Sequence, residues 1–138
     1  MTPAHSAAQP GAVELVTSDD ETPIAVRRLG TGPPVVAIHG GLGTWRSWLP
    51  VAERLTDRFE VFLYDRRGRG ASGEAPGPHT IELEVADARA VVGAAGADAF
   101  VMGHSFGGAI ALELARTGGP VGPLVVYEPP AAIGHLLA

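Results

Sequence analysis

Apolar residues along this chain follow two alternating rhythms. The continuous runs Val35-Val36-Ala37-Ile38, Val61-Phe62-Leu63-Tyr64, Phe100-Val101-Met102 and Leu124-Val125-Val126-Tyr127 have the form of strands buried on both faces of a parallel sheet. Between them, apolar positions recur three and four apart, as on one face of a helix. Trp45, Trp48, Leu49, Ala52 and Leu55 predict a helix that stops near Asp57; Ile81, Val85, Ala88 and Val92 predict another, started by Thr80; residues 109–115 predict a third, ended by Gly118-Gly119-Pro120. Ahead of these, β-prone residues 13–17 and 24–29 flank the polar turn Ser18-Asp19-Asp20-Glu21, which reads as a hairpin. Strands alternating with helices after an opening hairpin predict an α/β fold. Its sheet is mostly parallel, with an N-terminal β-hairpin and helices on both faces.

Composition narrows what such a fold can do. With 138 residues, 46% apolar and 18% charged, the chain has material for one core and not two. Residues 1–12 read as a flexible tail and residues 13–138 as part of a single domain. A net charge of −5 offers no basic surface for nucleic acid. The absence of cysteine removes disulfides and thiolate metal sites and favours a reducing compartment. The first twelve residues lack the basic and apolar regions of a secretory signal. No run of about 18 apolar residues is present to span a bilayer. A cytoplasmic protein acting on a small-molecule substrate is expected, without membrane, nucleic acid, cofactor or metal.

The candidate chemistry centres on Gly103-His104-Ser105-Phe106-Gly107, a G-x-S-x-G sequence between a buried strand and a helix. A chain that reverses this sharply strains the serine backbone and leaves no room for side chains beside it, hence the two glycines. The turn lifts the serine oxygen clear of the sheet, and the helix start directs free N–H groups toward developing negative charge. A second glycine pattern, Gly68-x-Gly70-x-x-Gly73, fits a dinucleotide-binding loop. The Glu74-Ala75-Pro76-Gly77-Pro78 that follows prevents the required helix from opening there.

Three further segments, in order and spacing, make the chain resemble the α/β-hydrolase family. His39-Gly40-Gly41-Leu42-Gly43 is similar to the family's oxyanion loop. The resemblance implies that the backbone N–H groups of Gly41 and Phe106 form the oxyanion hole, with His39 structural. Tyr64-Asp65-Arg66-Arg67-Gly68-Arg69-Gly70-Ala71-Ser72 resembles the family's D-x-R-G-x-G-x-S turn, in which the Asp and Arg residues brace the loop. Tyr127-Glu128-Pro129-Pro130 ends the strand after the nucleophile helix. There Glu128 is either the acid that orients a catalytic histidine or a solvent-facing residue before a proline turn. The family resemblance thus implies a serine hydrolase that cleaves an ester, amide or related bond through a covalent Ser105 intermediate.

One member of the triad is missing from this pattern. The family order is Ser, then Asp or Glu, then His on a loop after the last strand, and His5, His39, His79 and His104 all lie ahead of Glu128. His135 follows it too closely to leave room for the intervening elements. The sequence therefore reads as the N-terminal half of an α/β-hydrolase, truncated before its histidine and inactive alone. It would be completed by a complementary C-terminal segment, or would self-associate through an unpaired edge at residues 124–127. The alternative is a non-catalytic remnant or interaction module on the same scaffold, which coding sequence beyond Ala138 would distinguish.

Overall fold

The computed structural model describes residues 10–119 and 121–130. The opening hairpin forms from β1 (Glu14–Thr17) and β2 (Pro23–Gly30), antiparallel, with Leu15 opposite Ala25 and Val16 opposite Ile24. The apolar runs become β3 (Pro34–Ile38), β4 (Glu60–Tyr64), β5 (Phe100–His104) and β6 (Leu124–Tyr127). All six strands form one sheet in the order β1-β2-β4-β3-β5-β6. β4, β3, β5 and β6 run parallel, and β2 adds to β4 antiparallel.

The inner strands bury both faces, which is why they read as unbroken apolar runs. Along β3, Val36 and Ile38 pack toward α2 (Ile81–Ala95) and α3 (Phe106–Arg116), against Val85, Val92, Ile110 and Leu114. Val35 and Ala37 face the other way, toward Trp45 and Ala52. Thr80 caps α2 as expected, its hydroxyl accepting from Leu83 N–H at 3.3 Å. A buried polar cluster ties that helix to the hairpin: Arg67 donates to both carboxylate oxygens of Asp87 at 2.7 Å and reaches Asp20, while Ser18 donates to Asp87 at 2.5 Å.

One predicted element differs. The helix expected from Trp45 to about Asp57 is a 3-10 turn, Trp45–Trp48, followed by a five-residue α1, Leu49–Glu53. Pro50 is the cause: it has no N–H to give the Arg46 carbonyl, and Leu49 N–H takes that acceptor instead. The predicted apolar face survives, since Trp45 and Ala52 are buried with Trp48, Leu49 and Leu55 packed around them. Residues 65–78 form a loop and no helix opens at its glycines, so the dinucleotide alternative has no support in the fold. Among the described residues, no helix is long and apolar enough to cross a membrane.

Candidate active site

Ser105 stands between the last residue of β5 and the first of α3, at φ 54° and ψ −121°. Positive φ is strained for a residue with a β-carbon, and the surroundings must hold it. A β-carbon at Gly103 would come within 2.4 Å of the Gly107 carbonyl oxygen, and one at Gly107 within 2.2 Å of the Ile38 carbonyl oxygen. Both flanking positions thus exclude any side chain. The Ser105 N–H donates to Tyr127 O at 3.0 Å, and its carbonyl accepts from Gly108 at 2.8 Å and Ala109 at 3.2 Å. The side chain is half-buried and makes no capping bond to the helix. Phe106 N–H is the first of α3, where helix geometry supplies no internal acceptor.

The oxyanion-type loop leaves β3 directly beside this turn. A β-carbon at Gly40 would lie 3.3 Å from Ser105 Cβ, which places the Gly40-Gly41 backbone against the serine. His39 is fully buried. Its Nδ1 donates to Gly40 O at 2.8 Å and its Nε2 accepts from Arg66 N–H at 3.0 Å, a pairing that requires the neutral ring with the proton on Nδ1. Burial pushes its pKa down to about 4. His39 is a structural bracket, as the sequence implied.

The loop after β4 supports this arrangement from behind. Asp65 accepts from Trp45 N–H at 2.9 Å and Ala71 N–H at 3.0 Å, and Ser72 donates to the Asp65 carbonyl at 2.5 Å while accepting from Ala25 N–H. Arg66, buried, pairs with Glu84 of α2, donates from Nη1 to Gly40 O at 3.1 Å, and lays its guanidinium 4.7 Å from the Phe106 ring centroid. Arg69 donates to the Gly41 carbonyl. Sequence reasoning recognised this turn as a brace but not what it grips.

Glu128 follows β6 at φ 48°, exposed. It is joined to the Ser105 turn through the neighbouring Tyr127 carbonyl. Two of the three non-glycine residues with positive φ among those described, Ser105 and Glu128, therefore sit at one end of the sheet. His104 points to the opposite face of β5 from the α3 side and stacks on Tyr127, ring centroids 5.4 Å apart. The two line a hollow of about 230 Å³ with Ser47, Trp48 and Val51. His79 lies half-exposed at the start of α2, 3.6 Å from Glu84. His5 and His135 lie outside the described residues. Among the described residues, no histidine is hydrogen-bonded to Ser105 or Glu128.

Comparison with known proteins places this geometry in context. A family model described as "Alpha/beta hydrolase family" matches residues 35–138. "Putative carbamate hydrolase RutD" of Azorhizobium caulinodans is 43% identical over 90 residues, covering 62% of this chain and 33% of that protein. N-formylmaleamate deformylase of Pseudomonas putida is 33% identical over 106 residues, covering 75% of this chain and 40% of the relative. Among solved structures, an alpha/beta hydrolase from Sphaerobacter thermophilus superposes with a TM-score of 0.81 at 49% identity, covering 85% of this chain and 45% of that one. The chain spans about a third to a half of the length of these relatives. With a family model matching most of its length and a sheet that superposes on a solved hydrolase, this chain belongs to the α/β-hydrolase family.

Proposed function

We propose that the complete product of the gene carrying this chain is a serine hydrolase in which Ser105 is the nucleophile. The observation that carries the reading is the strained Ser105 backbone, held by two glycine positions that admit no side chain and facing the Gly40-Gly41 loop. Ser105 Oγ attacks a carbonyl carbon, the carbonyl oxygen becomes an oxyanion held by Gly41 and Phe106 N–H, and the leaving group departs to give an acyl-enzyme that water releases. Glu128 orients the histidine that takes the serine proton and passes it to the leaving group. That base comes from outside the described residues, because both ring nitrogens of His39 are engaged in buried bonds, His79 lies beside Glu84 at the start of α2, and His104 is stacked on Tyr127. Relatives whose names refer to a carbamate and to a formyl amide favour a small carbonyl compound bearing nitrogen as the substrate class.

A fluorophosphonate probe added to the complete gene product should modify Ser105, and a Ser105→Ala variant should lose the modification. Equal labelling of that variant would refute the assignment. In the same enzyme Glu128→Gln should lower kcat by about 10⁴, as an equivalent amide substitution does in a triad. A loss below about tenfold would return Glu128 to the proline turn.

A further inference from the structure

We propose that Arg66 is a positioning residue for the oxyanion hole: by gripping the Gly40 carbonyl it sets the direction of the Gly41 N–H, and the same guanidinium packs on Phe106, which carries the other donor. The inference rests on the hydrolase reading above and adds to it a residue that touches neither substrate nor nucleophile.

The argument begins with the peptide plane. Gly40 C=O and Gly41 N–H belong to one peptide unit, and no cis bond occurs among the described residues. A trans unit holds these two groups on opposite sides of a rigid plane. Fixing the carbonyl therefore fixes the amide. Packing constrains the Gly40 side of the unit, where a β-carbon would meet His104 O and Ser105 Cβ at 3.3 Å, but not the Gly41 side, where one would meet nothing within 4 Å. The plane is free to rotate unless its carbonyl is held. Three donors hold it, His39 Nδ1 at 2.8 Å, Arg66 Nη1 at 3.1 Å and the Gly43 N–H at 3.2 Å; of these only Arg66 reaches it from outside the loop. The next carbonyl, Gly41 O, is taken by Arg69.

Arg66 is itself immobilised. Its Nε and Nη2 both engage Glu84 Oε2, and neither side chain is more than 4% exposed. That leaves Nη1 aimed at Gly40. A planar fork can satisfy the carboxylate and the carbonyl together, whereas a lysine ammonium has neither the plane nor the spread of donors. Burying such a pair gives little net stability compared with apolar residues of similar volume. Stability alone thus gives no reason for a buried Arg-Glu pair at this position, while the grip on Gly40 does.

The test compares Arg66→Met with the double variant Arg66→Met/Glu84→Met in the complete gene product, followed with a nitrophenyl ester, by thermal melting and by NMR of Gly40 and Gly41. The single variant should lower kcat about tenfold to a hundredfold, with KM within about twofold, because a donor needed in the transition state is misaimed. The double variant should regain most of the lost melting temperature, having no unpaired carboxylate, yet keep the low kcat. In both, the Gly40 carbonyl carbon and the Gly41 amide resonances should shift. Recovery of kcat together with melting temperature, or unshifted Gly40 and Gly41 resonances in the folded double variant, would overturn the proposal. Failure of the probe to label wild-type Ser105 would remove the hydrolase reading instead, and the Gly40-Gly41 resonances would still decide whether Arg66 sets the peptide.

Discussion

Burial restricts His39 to one protonation state, with a consequence for pH. Its unperturbed pKa of 6.5 falls to about 4 in the fold, so between those values the unfolded chain takes up a proton that the native chain refuses. Stability is unaffected by this residue above about pH 6.5. It declines as pH drops toward 4, with a slope of up to about 1.4 kcal/mol per pH unit from this one group. Urea denaturation at pH 7.5, 6 and 5 measures the slope, and His39→Gln, which keeps an acceptor for Arg66 N–H, should remove that contribution. At this scale the sequence was readable where sterics dictate residue type. A serine in a reversed strand needs glycines beside it, and Gly103 and Gly107 are there. The grip of Arg66 on Gly40 was not readable, because a side chain bonded to a backbone carbonyl 26 positions away leaves no trace in the identity of its partner.

Secondary-structure elements show the same division between shape and chemistry. A methyl group at Gly103 drives into the Gly107 backbone, so Gly103→Ala should cost about 3 kcal/mol or more by forcing β5 and α3 apart. Gly93 in α2 is exposed, with open space around its would-be β-carbon and no positive φ. There Gly→Ala should stabilise by about 0.5–1 kcal/mol through helix propensity and a less flexible unfolded chain. Chemical denaturation of the two variants beside wild type tests both signs, and equal effects would show that neither the packing nor the propensity argument describes this fold. The strands and the start of α2 were legible because apolar runs and a capping threonine act locally. The interrupted helix at Pro50 was not, because the spacing of Trp45, Trp48, Leu49, Ala52 and Leu55 describes which face is apolar and carries no information on whether the backbone ladder is continuous. β5 likewise runs two residues beyond its apolar stretch, to His104, since pairing with β6 extends to Tyr127.

Among the described residues, the sheet is finished at one edge by the hairpin and ends at the other on β6. Val125 and Tyr127 on that strand are 60% and 57% exposed, and an apolar edge strand invites pairing with another chain. We expect the 138-residue chain on its own to sediment as oligomers at high concentration. Val125→Lys should shift it toward monomer, because a lysine on an edge strand opposes further pairing. Sedimentation velocity reads both, and an unchanged distribution would place the contact elsewhere. The architecture was legible in the alternation of runs and periodic segments. Which helices cover which face followed only from the strand order, which depends on pairings such as β3 with β5 between residues distant in sequence. That distance also bears on how the Ser105 turn acquires its shape during synthesis. The ribosome delivers Ser105 well before Tyr127, whose carbonyl receives the Ser105 N–H. Until β6 has emerged and docked, the strained turn lacks one of its holds. Ser105 is thus among the last parts of the described sheet to gain all of its holds, because one of them comes from the strand beyond it.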